Sequence, residues 1–109
     1  MSAPTEAQLR ILYAELTALP GHDGTVAAML AEHSVAVRAE PGCIVFSPHR
    51  VEGDPNAFFV YEVYRDQEAF EQHIASAHSE SFNRALAEHV VGGGSALTWL
   101  APLLQYADA

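Results

Sequence analysis

Lysine is absent from this chain. Without it no lysine Schiff base can form, which removes ordinary pyridoxal phosphate catalysis. Cysteine occurs once, at Cys43, which excludes an internal disulfide and a structural zinc site built on several thiolates. That thiol follows Pro41-Gly42 and opens a strand, where a buried, inert state is expected. Positive charge is scarce: five arginines stand against fourteen acidic residues, for a formal net charge of −9. So few cations assemble no basic patch for a phosphate backbone, and the same shortage disfavours an anionic membrane surface. No apolar run reaches the length of a membrane span. Met1 to Glu6 lacks the basic start and apolar stretch of a secretory signal. The expectation is a cytoplasmic protein with no nucleic-acid partner and no membrane partner.

Several catalytic frames are missing as well. There is no GxSxG elbow, no HExxH pair and no GxGxxG turn. The triple glycine Gly92-Gly93-Gly94 has no following lysine and reads as a flexible link rather than a phosphate cradle.

What is present is enough for a core. Half of the 109 residues are apolar, and the length suits one domain, 1–109, with an ordered part over about 9–103. Residues 10–18 alternate as a first strand, with Leu12, Ala14 and Leu16 on one face and Ile11, Tyr13 and Glu15 on the other. Asp23 is placed to cap a helix starting near Gly24 or Thr25 and running to about residue 39. Val26, Met29, Leu30, His33 and Val37 form its apolar stripe. Residues 43–51 read as a second strand, with Pro48 marking an edge or a bulge. FFVYEVYR, 58–65, is the clearest strand, being dense in aromatic and β-branched residues. Asp66 caps a second helix over about 67–90, whose apolar pattern slips near Ala77-His78-Ser79 and predicts a kink or break. A fourth strand follows over 96–103.

The order β-α-β-β-α-β points to an α+β, ferredoxin-like antiparallel sheet with its helices on one face. The other face, carrying Phe59, Tyr61 and Val63, is too apolar to leave wet, which predicts a homodimer.

The polar residues of the second half carry the candidate chemistry. On the third strand, Phe58, Val60, Glu62 and Tyr64 share a face, which sets a carboxylate among apolar neighbours. Such a group either reaches solvent at an edge or lines a pocket with a raised pKa, ready to accept a proton. His33 and His73 fall on inward helix faces and His78 at the break, so three imidazoles face the sheet. His73 and His78 stand five apart, a spacing that does not put two ligands on one helical face, so no metal is expected.

An ordered set of segments carries a resemblance over nearly the whole chain. Glu40-Pro41-Gly42-Cys43, then Tyr61 to Asp66, then Glu68-Ala69-Phe70, His73 and Ser76-Ala77-His78 together resemble the antibiotic biosynthesis monooxygenase family. The resemblance implies a dimeric α+β barrel with one pocket per subunit between sheet and helices. It implies, for some members, cofactor-free oxidation of quinols or anthrones, in which a deprotonated substrate reduces oxygen directly. On that pattern Glu62 or His73 is the base, and Tyr64 and His78 orient polar groups. Phe58, Val60, Phe70 and Phe82 hold the ring, His33 adds to the helix wall, and Leu12, Ala14 and Leu16 form the floor. The expected partners are a small aromatic substrate, O2 and a second copy of the chain, with no cofactor.

Departures narrow the choice. Many relatives carry Trp at the place of Tyr64. Haem-degrading cousins use an Asn on the first strand, a Trp on the third and a His late in the second helix; the approximate counterparts here are Ala14, Tyr64 and Asn83, which argues against haem chemistry. A cousin that isomerises a phosphorylated autoinducer sugar has a similar third strand, but a chain without lysine is poorly equipped for phosphate. Proton-transfer isomerase and non-catalytic ligand-binding dimer are the alternatives.

Overall fold

The computed structural model describes residues 8–104. Its elements are β1 (Arg10–Thr17), α1 (Asp23–Arg38), β2 (Cys43–Arg50), β3 (Ala57–Tyr64), α2 (Gln67–Ala75), α3 (Ala77–Leu86) and β4 (Ala96–Leu100). The strands form one antiparallel sheet in the order β2-β3-β1-β4, the ferredoxin-like arrangement. Among the described residues no helix is long and apolar enough to cross a membrane.

Strand alternation fixes which side chains meet the helices. Leu12 pairs with Glu62, Ala14 with Val60 and Leu16 with Phe58 across the β1–β3 ladder. All six side chains are buried, as the period-two pattern requires for one packed face. Val26, Leu30 and Val37 of α1 and Leu86 of α3 close over that face. Full burial of side chains of this size stabilises by about 1.5–3 kcal/mol each. Pro48 lies on the edge strand β2, where its missing N–H costs no ladder bond. The bulge in that strand is elsewhere, between Cys43 and Val45.

Local chemistry departs from expectation or adds to it in four places. Asp23 does not cap α1; it is the first helical residue, and its carboxylate accepts from Arg50 at 2.8 Å. That ion pair ties the start of α1 to the end of β2 and draws the side chain away from the helix N–H groups. The glycines after α3 carry a turn within their link. Val91–Gly93 is a 3₁₀ turn with Gly92 and Gly93 at positive φ, and Gly93 N–H donates to the Val90 carbonyl at 3.2 Å. β4 ends at Leu100 instead of 103, and its residues stay exposed. On the outer sheet face Val63 and Ile11 are buried, so the bare surface is smaller than expected; Phe59 stacks on Tyr13 with ring centroids 4.9 Å apart.

The second helical region breaks at Ser76, whose backbone is extended at φ −67°, ψ 150°. Ser76 ends α2, and its hydroxyl oxygen accepts from Ser79 N–H at 3.2 Å to begin α3. Asp66 caps α2 as expected, accepting from Ala69 N–H at 2.8 Å.

Candidate functional site

A cavity of about 100 Å³, open on one side, lies between the sheet and the helices. Leu12, Ala14 and Leu16 of β1 and Val60 of β3 give it an apolar floor, with Glu62 at one end. His33, Phe70, His73 and Phe82 form the opposite wall. His33 and Phe82 stack nearly parallel, 4° apart in plane and 3.9 Å between centroids, which makes a flat aromatic slab. A closed apolar cavity of about 150 Å³ accepts benzene; this smaller one seats the edge of an aromatic system whose remaining rings extend through its open side.

Three of the residues expected around the ligand stand elsewhere. Phe58 shares the strand face but sits further along it, packed in the core with the Arg50 guanidinium 5.0 Å from its ring. Tyr64 is fully buried behind Glu62 and donates its hydroxyl to Glu62 Oε1 at 2.6 Å. His78 lies beside the cavity and donates from Nε2 to Glu40 Oε2 at 2.6 Å. Residues the sequence did not single out complete the site: Phe46, Leu97, Ser79 and, behind His73, Glu40. Glu40 was visible only as part of the Glu40-Pro41-Gly42-Cys43 segment.

Glu40 reaches His73 because of a close approach. A Cβ at Gly42 would stand 2.3 Å from the Ala69 Cβ, so only glycine lets the 40–42 turn lie against α2. His73 is one turn beyond Ala69 on the same face. There His73 Nδ1 is 2.9 Å from Glu40 Oε2 and 3.2 Å from Oε1. A carboxylate only accepts, so the Nδ1 proton is held toward Glu40 and Nε2 is the ring nitrogen left to take a proton.

The electrostatics separate the roles. Burial holds the Glu62 carboxyl above the usual carboxylate range, and the Tyr64 hydroxyl bond pulls the other way. Burial, then the charge of Glu62, pushes the Tyr64 phenol far above its ordinary value, so Tyr64 donates and does not act as a base. Burial first, and the neighbouring His73 and His78 next, press His33 down to about 4. His33 is therefore a neutral polar wall at physiological pH. Burial raises the Cys43 thiol to about 11, in keeping with an inert side chain. Ser79 Oγ is buried and has no hydrogen-bond partner among the described residues, although Ser79 borders the cavity. A ligand oxygen would satisfy it.

Comparisons with known proteins agree with this architecture. A search of the curated proteins found no match. Solved structures match over most of the chain. A Pseudomonas aeruginosa protein shares 28% identity and a TM-score of 0.82, over 89% of this chain and 96% of its own. A Mycobacterium tuberculosis protein shares 24% identity with TM-score 0.82, over 91% and 99%. A Bacteroides thetaiotaomicron protein, described as a candidate antibiotic biosynthesis monooxygenase, shares 23% identity with TM-score 0.83, over 95% and 98%. The likenesses below a quarter identity speak to the fold alone. The family model for antibiotic biosynthesis monooxygenases matches residues 10–85, from the first residue of β1 almost to the end of α3. On that match, which covers most of the sequence, the chain belongs to the antibiotic biosynthesis monooxygenase family.

Proposed function

We propose that this protein is a cofactor-independent monooxygenase acting on a small phenolic, quinol or anthrone-like compound. Family membership supports a monooxygenase-type activity. The observation that carries the finer reading is the pairing of a base with a flat apolar slot: His73, fixed through Nδ1 by Glu40, borders a cavity walled by the His33–Phe82 stack.

In this reading His73 Nε2 removes the acidic proton of the bound ring compound. The resulting anion is electron-rich enough to reduce O2; one oxygen atom enters the ring carbon and the other leaves as water. The protein's share is orientation, exclusion of water and control of protons. Glu62 is paired with Tyr64 and takes a hydrogen bond from a second substrate hydroxyl, and Ser79 Oγ supplies a further polar contact. Among the described residues no arginine borders the cavity, which disfavours a phosphorylated sugar as the ligand. A second copy of the chain covers the outer sheet face around Tyr13 and Phe59, making the working unit a homodimer.

Oxygen uptake by metal-free protein with a panel of quinols, naphthalenediols and anthrones tests the proposal. The expected result is uptake above the spontaneous rate, lowered about 10²- to 10⁴-fold in His73→Ala, the usual worth of a general base. Turnover of a panel compound that continues without oxygen would instead establish a proton-transfer isomerase at the same site.

A further inference from the structure

Glu40 is shared. Its Oε2 accepts from His73 Nδ1 at 2.9 Å and from His78 Nε2 at 2.6 Å. The three ligand atoms all lie within 4.8 Å of one another. They come from three segments: the turn after α1, the last turn of α2 and the first turn of α3. In an unbroken helix, residues five apart point about 140° away from each other at 3.6 residues per turn. The extended Ser76 removes that obstacle by redirecting α3, so both imidazoles meet one carboxylate.

The donor set is chemically specific. Two imidazole nitrogens and one carboxylate oxygen suit Zn²⁺ and its first-row neighbours, and suit Ca²⁺ or Mg²⁺ poorly. Bonds of about 2.0–2.1 Å from such ligands place the ligand atoms about 3.4 Å apart in a tetrahedron. Admitting an ion therefore requires only small adjustments from the observed hydrogen-bonded separations. His78, with a third of its side chain exposed, can supply them, while Glu40 and His73 are sheltered at 14% and 10%. One face thus stays open to solvent for entry and for a fourth ligand, and the chain's charge of −9 favours a cation.

We propose that Glu40, His73 and His78 form a binding site for a divalent transition ion of the zinc type, and that its occupation silences the adjacent pocket. Coordination through Nδ1 of His73 moves that ring's proton to Nε2, where the nitrogen can no longer accept one. The ion also takes the carboxylate that orients the ring. Binding stands on the triad geometry alone; silencing rests on the function proposed above.

The test is a zinc titration of full-length, chelator-stripped protein against a chromophoric competitor. One Zn²⁺ per chain is expected, with affinity at least tenfold weaker in Glu40→Gln and in His78→Gln, both checked for native circular dichroism. His89→Gln is the control: His89 Nδ1 contacts His22 Nδ1 at 2.9 Å in a separate pair, and zinc affinity should not change. Equal zinc affinity in wild type and His78→Gln, or an equal loss in His89→Gln, would overturn the site. For a substrate found by oxygen uptake, inhibition should track the zinc occupancy measured by titration. Stoichiometric binding with undiminished turnover would overturn the silencing while leaving the site. Absence of uptake across the panel would count against the proposed function alone, since the titration does not depend on turnover.

Discussion

His33 offers the sharpest quantitative test of the pocket's electrostatics. Its ring is buried against Phe82 and Phe46, with the rings of His73 and His78 about 6 Å away. Protonation is therefore disfavoured in the folded state, at about 4 against an ordinary 6.5. The unfolded chain binds the proton more readily, so this group leaves stability level above about pH 6.5 and erodes it as the pH falls from there toward 4. Integrating between those values gives a loss of about 2 kcal/mol on going from about pH 7.5 to pH 5. His33→Phe keeps the stacked ring and deletes the titration. Other groups titrate in the same range, and a larger ring has its own packing cost. Both contributions cancel when each protein is compared with itself at two pH values and the two differences are then subtracted. Urea unfolding supplies the measurement: at about 1–2 kcal/mol per molar urea, the wild-type midpoint should fall by about 1–2 M more than that of the variant. An equal fall in the two proteins would show that His33 is not held neutral by its surroundings, and the argument from burial would fail.

Three other outcomes follow from the geometry. Gly42→Ala should destabilise by about 1–3 kcal/mol in chemical denaturation, because the added methyl meets the Ala69 Cβ and must push the turn off α2; an unchanged midpoint would mean the approach is loose. Tyr64→Phe leaves Glu62 buried without its donor, costing about 1–3 kcal/mol near neutral pH. Since Glu62 is already held above the usual range, losing the bond should raise it further, so the penalty should shrink as the pH falls and the carboxyl takes up a proton; a pH-independent penalty would contradict this. Asp66→Ala should cost about 1 kcal/mol through the lost cap on α2, read as a lower thermal midpoint, with Asp66→Ser recovering most of it.

Much of the architecture was legible in the sequence because the signals are periodic. FFVYEVYR alternates so strongly that its face assignments, Glu62 among them, follow without coordinates. The break near residue 77 showed as a slip in the apolar stripe. What alternation cannot encode is depth along a strand: Phe58 and Val60 share a face, yet only Val60 borders the cavity. Glu40 was harder still. It lies outside any helix or strand, so no period marks it, and its partners are 33 and 38 residues away. His73 and His78 also stand five apart, which a helical wheel separates, and a slip in the apolar stripe marks a break without saying how far the extended Ser76 redirects α3. Asp23 had the composition of a cap, and only tertiary structure could show Arg50 competing for it.

Ser76 has a consequence for how this region tolerates change. Because one residue both stops α2 and starts α3, the rotational phase of α3 is set afresh at the joint and is not inherited from the turns before it. A single residue inserted between Ser76 and His78 would turn the His78 imidazole by about 100° while leaving His73 in the wall. The joint divides the helical layer into two halves, each with a register of its own.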